Sequence, residues 1–342
     1  MIPLRERMAR TRPWLPSRLV PPADWGRLLD AAELAPADAS SWCVEVHPGH
    51  RSDLLVSYTH SPPSRVALAR ALAAQRAPGW APVRAIAALW ADPSAALHGA
   101  AHLLWLEMDL APTGGVPAPC IFLGLHRHPA AHPPGADDGR LPSPGVLEVL
   151  DEVWRAGLDA RPPEDLRRAL QQLLLRLNAL PEAGRLNHLG LMWPRSTSSL
   201  RLAMEVHPGA LDDCLEAIGW PGDRAALAAS IPPDCIANVE RLGLSLDLSP
   251  TLSPSLGLEL VRQDTARDVP GWRALLAPLI ERGWLLPEHR DAALAWRGVS
   301  GDGPADREVR GVYHVKLSLT AHGPPKLKLY LGSRRHRGFL HS

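Results

Sequence analysis

The sequence predicts an α+β fold in which repeated ββαα units place ten antiparallel strands in a closed or nearly closed barrel, helices outside, with internal duplication. Three observations lead there. The hydrophobic period switches between two and about 3.6 residues in a regular rhythm of strand pair, then helix pair. Most strands carry one apolar and one polar face, as in antiparallel sheet covered by helices on one side. Short strings recur along the 342 residues.

The elements follow in order. An arm over residues 1–40 contains one helical pattern, PADWGRLLDAAELA. The first strand pair is 42–47 with 53–59, followed by the helical SRVALARALAAQ and APVRAIAALWA. The second, 103–110 with 120–126, precedes GVLEVLDEVWRAG and PEDLRRALQQLLLRLNAL. The third, 187–193 with 199–206, precedes ALDDCLEAIG and DRAALAASI. The fourth, 240–248 with 255–261, precedes VPGWRALLAPLIERG and PEHRDAALAW, and 312–319 with 326–331 is the last pair. Pro-, Gly-, Ser- or Thr-rich connections such as APTGGVPAP and SPTLSP join the paired strands. Several helices open on Pro or an acidic residue and close near Gly.

Alternation fixes the faces. In LWLEMDL, Leu104, Leu106, Met108 and Leu110 oppose Trp105, Glu107 and Asp109; in RLGLSLDL, the leucines oppose Arg241, Ser245 and Asp247. Ten such strands leave open edges unless the sheet closes on itself. Residues 41–210 and 211–332 then form two halves of one barrel, and 333–342 a mobile basic tail. The paired strings are VEVHPG with MEVHPG, LEMDLAPT with LSLDLSPT, PCIFLGLHR with PSLGLELVR, VLDEVWRAGL with LAPLIERGWL, and NHLGLMW with YHVKLSL.

Composition limits the partners. The 37 basic and 36 acidic residues nearly cancel, which argues against a general nucleic-acid binder. No apolar run approaches the roughly 20 residues that span a bilayer. The N-terminus shows no export signal, so a cytoplasmic location is expected. Cys43, Cys120, Cys214 and Cys235 form no CxxC pair and read as buried free thiols.

The chain has three lysines, Lys316, Lys326 and Lys328, all in the final hairpin GVYHVKLSLTAHGPPKLKLYLG. Alternation puts His314, Lys316 and Ser318 on one face of its first strand, and Lys326, Lys328 and Tyr330 on one face of its second. With the leucines packed on helices, all three ammonium groups face the lumen and suit an anion. Lysine protection of an exposed sheet edge is the alternative. Against them the projected lumen carries Glu45, Glu107, Asp109, Glu205, Asp247 and Glu259, with Arg201 and Arg241 as further cations. A polyanion site should be net positive, and this one is not.

Other candidates carry less. His126, His128 and His132 sit in a Pro- and Gly-rich stretch that reads as a surface loop. The two EVHPG strings offer Glu45, His47, Glu205 and His207 as a metal set across the duplicate axis, or simply as polar strand ends. His98 and His102 have helical metal spacing without a third ligand. His188 and His314 read as hydrogen-bonded histidines inside the barrel. Of twelve tryptophans, Trp90, Trp154, Trp272 and Trp296 read as helix anchors, while Trp105 falls on the polar face and suits a peptide or aromatic ligand.

The element order and polarity resemble the αββα (ABBA) barrel of aromatic prenyltransferases over residues 40–332, with two separate α+β sandwiches as the rival arrangement. The KLKLY string resembles that family's lysine–x–tyrosine pairs, which would assign Lys316, Lys326 and Lys328 to diphosphate and Tyr330 to shielding an allylic cation. Ser199, Arg201 and Ala203 stand at the matching positions of the other half, which departs from the family's pattern. The EVHPG strings, the LxMDLxP and LxLDLSP strands and the HVKLSL…KLKLYLG hairpin resemble hypothetical peptide-binding proteins of crocagin-type bacterial ribosomal-peptide biosynthesis. That resemblance implies binding of a precursor peptide and its presentation to partner enzymes of the pathway. The favoured reading is non-catalytic, with no cofactor or metal expected; an acidic leader would give the lysine hairpin a partner, and a homodimer is admitted. The expected contacts are Lys316, Lys326, Lys328, Tyr330, His314, Arg201 and Trp105. A prenyltransferase acting on an aromatic or peptide substrate is the alternative.

Overall fold

The computed structural model describes residues 2–59, 61–77, 79–110, 115, 117–125, 143–179, 184–262, 268–301, 307–320 and 323–335. Helices α1 (Leu4–Thr11) and α2 (Pro22–Leu34) precede the first hairpin, β1 (Ser41–Val46) and β2 (Ser52–Thr59). Helices α3 (Pro62–Ala73), α4 (Ala81–Ala91) and α5 (Ala96–Ala100) lead to β3 (Ala101–Met108) and β4 (Cys120–Leu125). Then come α6 (Ser143–Leu158), α7 (Glu164–Ala179), β5 (Arg185–Leu191) and β6 (Leu200–Val206). Helices α8 (Leu211–Ile218), α9 (Arg224–Ser230) and α10 (Pro233–Ala237) precede β7 (Arg241–Leu248) and β8 (Leu252–Val261). Helices α11 (Val269–Glu281) and α12 (Pro287–Ala295), the short β9 (Gly298–Ser300), β10 (Glu308–Leu319) and β11 (Lys326–Arg335) complete the chain.

Every neighbouring strand pair is antiparallel, from β11 through β1 to β8 and on to β10. Pairing of β10 with β11 closes the ring. Ten strands therefore form a barrel, and β9 adds only to the outer end of β10. An eight-stranded barrel is filled by its own side chains, so a ten-stranded ring leaves a chamber. Outward leucines and valines of the strands pack against the helices in one continuous core, in which Leu104, Leu106, Leu244 and Leu246 are fully buried. Trp90, Trp154, Trp272 and Trp296 are buried in it as expected; Trp90 and Trp296 also donate their indole N–H to the carbonyls of Ala101 and Gly332.

The strand directions correct one expectation. The first EVHPG string ends β1 at the end of the barrel where β11 begins, and the second ends β6 at the opposite end. Glu205 and His207 are thus remote from Glu45 and His47, and no four-residue set forms between them. The other string pairs fall on like-placed elements: β3 with β7, β4 with β8, α6 with α11, and β5 with β10. A repeating ββαα rhythm accounts for that placement as well as duplication does. His98 and His102 do not share a helix, because α5 stops at Ala100 and His102 lies on β3. The His126–His132 stretch and residues 336–342 of the tail lie outside the described residues; 333–335 belong to β11. Among the described residues no helix is long and apolar enough to cross a membrane.

Candidate functional site

The chamber is built from rows of cross-strand neighbours. One row runs Asp53, Glu45, Tyr330, His314 across β2, β1, β11 and β10. A second runs Lys328, Lys316, Glu259, Gly243 across β11, β10, β8 and β7. A third runs Trp105, Phe122, Gly190, Arg201, Asp247 across β3 to β7. Period-two alternation aims each row inward. Gly190 is required beside Phe122, since a β-carbon there would stand 2.7 Å from the phenyl ring.

The inner part is a cavity of about 260 Å³ with Trp105, Phe122, Tyr330, His188 and His314 on its walls. A second cavity of about 350 Å³ opens toward the mouth, past His47, Arg51, Asp53 and Ser318. The two share Glu45, Arg201, Ser245, Lys316 and Lys328.

Cations here stand on carboxylates. Lys316 Nζ lies 3.1 Å from Glu259 Oε1, and Lys328 Nζ 2.6 Å from Glu45 Oε1. Arg201 grips Asp247 with two hydrogen bonds of 2.8 and 3.0 Å. Arg195, from the β5–β6 turn, bonds Glu107 and also Asp109 at 2.6 Å. Burial pushes the Glu259 carboxyl up, but the Lys316 charge outweighs it and brings it to about 2. Burial acts on Glu45 the same way, and His47 and Lys328 together hold it well below the usual carboxylate range. The Tyr330 hydroxyl donates to Glu45 Oε2. Burial, then the Glu45 charge, keeps that phenol well above its ordinary pKa. His188 is brought down to about 4 by burial. Burial also lowers His314, which stacks on Tyr330 with ring centroids 3.9 Å apart. Among the described residues, the Nε2 atoms of His188 and His314 are buried without a hydrogen-bond partner.

Six of the seven residues expected from sequence therefore line one chamber: Lys316, Lys328, Tyr330, His314, Arg201 and Trp105. The seventh, Lys326, corrects the expectation of three inward ammonium groups. It lies at the first residue of β11, exposed at the rim. Of the projected carboxylates, Glu205 is at the far end with Arg185 and Arg241. Sequence reading missed Asp53, Phe122 and Arg195. Alternation marks the first two; Arg195 sits in a turn, and its partners are 86 and 88 residues away in sequence.

No family model matches the chain, and no curated protein matches it. Solved structures do. The 6-dimethylallyl tryptophan synthase superposes with a TM-score of 0.55 at 15% identity, covering 96% of this chain and 94% of the other. AnaPT from Neosartorya fischeri gives 0.54 at 13% identity over 89% and 80%, and the NotF prenyltransferase 0.51 at 12% over 92% and 87%. The fold is the ABBA prenyltransferase barrel. At this identity the likeness is one of fold.

Proposed function

We propose that this chain is a non-catalytic peptide-binding protein of a bacterial ribosomal-peptide pathway, which holds a precursor peptide at the barrel mouth and presents it to partner enzymes. One observation carries the reading: the lumen's lysines and arginines are already bound to carboxylates, Lys316 to Glu259, Lys328 to Glu45, Arg201 to Asp247 and Arg195 to Glu107 and Asp109. A diphosphate entering there must break those pairs and leave buried carboxylates unpaired, a loss of several kcal/mol per group. A peptide needs no such exchange. Its polar backbone matches a chamber of balanced charge, and an aromatic side chain matches Trp105, Phe122 and Tyr330. At the rim, Lys326 and Arg51 are exposed, with no carboxylate partner among the described residues, and they suit an acidic segment. The precursor class comes from the sequence resemblance to crocagin-type peptide binders.

The test is fluorescence polarisation with a labelled acidic peptide. Lys326→Glu reverses one rim charge without touching a buried pair, so affinity should fall about threefold to tenfold and decline further with salt. Unchanged affinity removes Lys326 from the site. The second reading, a prenyltransferase, is favoured by the aromatic wall and by the barrel likeness over most of the chain. Isothermal titration with dimethylallyl diphosphate decides between them: saturable binding lost in Lys316→Met puts the transferase ahead, and no heat keeps the binding protein.

A further inference from the structure

The geometry points to a divalent-metal site at the barrel mouth formed by Glu45, His47 and Asp53, separate from the peptide reading above. Asp53 on β2 stands directly across from Glu45 on β1. His47 follows β1 into a tight turn closed by the His50 N–H to the His47 carbonyl at 2.8 Å, with Gly49 in the left-handed region at φ 80°. This turn sets the imidazole back over the two carboxylates. His47 Nε2 lies 2.8 Å from Glu45 Oε1 and 3.2 Å from Asp53 Oδ2, and one donor atom from each of the three residues falls within 4.8 Å of the others.

Two features separate this cluster from an ordinary ion pair. Each carboxylate has its far oxygen fixed from outside. The Leu110 N–H donates to Asp53 Oδ1 at 2.8 Å, and the Tyr330 hydroxyl donates to Glu45 Oε2. The near oxygens Oε1 and Oδ2 are thereby presented to a common centre, as outer-shell partners orient metal ligands. Second, His47 Nε2 is buried and sits between the two oxygens, aligned for a hydrogen bond with neither, so all three donor atoms converge on one centre. The remaining coordination positions open into the mouth cavity, where a water or ligand oxygen would complete the shell.

One imidazole nitrogen and two carboxylate oxygens select first-row divalent ions, Mn²⁺ to Zn²⁺, over Ca²⁺, which takes an all-oxygen shell. Lys328, 2.6 Å from Glu45 Oε1, and the proton that the two carboxylates hold on His47 are the competing cations. A metal would displace the Lys328 ammonium from the carboxylate.

Titration of the full-length protein with Zn²⁺, followed by isothermal calorimetry at pH 7, tests the site. A single equivalent should bind, and thermal unfolding should shift upward with Zn²⁺ by mass action. His47→Gln and Asp53→Asn should each weaken binding about tenfold or more; Asn keeps the acceptor for the Leu110 N–H. Lys328→Met should tighten binding, which a metal held elsewhere would not show. Circular-dichroism melts without metal confirm that each variant is folded. The absence of stoichiometric binding overturns the proposal. So does binding that survives both ligand substitutions, or binding abolished by replacing His126, His128 and His132 with alanine.

Discussion

At the scale of single residues, the chamber stores pH dependence of both signs. His188 is neutral and buried at about pKa 4, against an ordinary value of 6.5. As the pH falls from 6.5 toward 4 the unfolded chain takes up a proton that the folded chain refuses, so stability falls across that window. A shift of this size is worth about 3 kcal/mol once complete. His47 works the other way. Burial lowers its pKa, but the flanking Asp53 and Glu45 raise it to about 9. Its contribution is fully present below pH 6.5 and is lost as the pH climbs through 9. Urea unfolding at pH 7.0 and 4.5 should show a drop in wild type that His188→Asn reduces by about 2 kcal/mol. An equal drop in both proteins would remove His188 from the account. The facing of these histidines was legible from alternation. The hydrogen-bond partners expected for them were not found on Nε2, because no donor or acceptor from the neighbouring rows reaches that atom.

Among elements, the N-terminal arm is the least legible and carries a buried clasp. The inner face of α1 is Leu4, Arg7, Met8 and Thr11. This is an i, i+3, i+4, i+7 stripe with an arginine and a threonine inside it, so hydrophobic periodicity does not mark it as a buried helix. Arg7 Nε meets Glu308 Oε1 at 2.6 Å, and Arg7 Nη1 donates to the Ala39 carbonyl. Glu308 Oε2 accepts from the Ser333 hydroxyl at 2.7 Å. One guanidinium thus ties the arm to the start of β10, the end of β11 and the lead into β1. Arg7→Met leaves Glu308 buried and unpaired and should cost about 3–5 kcal/mol, whereas adding Glu308→Gln should restore much of it. Denaturant melts of the single and double variants measure this; additive losses would show that the pair does not couple. The strands, by contrast, were readable to within a few residues. Their alternation survives wherever leucines face helices, as on β3 and β7. Besides α1, only β9 and the short helices α5 and α10, too brief for a period, escaped.

For the whole molecule, closure was inferable because ten one-sided strands have no other way to hide both edges. The direction of each strand around the ring was not used, and it is what separates the two EVHPG strings. Charge balance across the chamber was readable from the inward sets, yet the pairing itself depends on register, such as Lys316 lying beside Glu259 and Lys328. The closed ring and its helical coat also bury all four cysteines: Cys43 on β1, Cys120 on β4, Cys214 on α8 and Cys235 on α10. Burial raises Cys120 to about 12 and Cys214 and Cys235 to about 11, and lifts Cys43 well above its ordinary value. A thiol that is both covered and protonated does not attack a disulfide reagent, so labelling must wait for the structure to open. In native buffer a thiol-reactive chromogen should therefore release no colour quickly, and in denaturant all four thiols should react. The two strand cysteines face the lumen, Cys43 on the wall of the inner cavity and Cys120 beside Glu107, so neighbouring lumen side chains cover them and they should react at low denaturant only as that packing loosens. If Cys214 and Cys235 react earlier than Cys43 and Cys120, the α8–α10 layer opens as its own unit over an intact barrel. Rapid native labelling of Cys43 would show instead that the chamber admits the reagent, because that thiol lines the inner cavity within a closed ring.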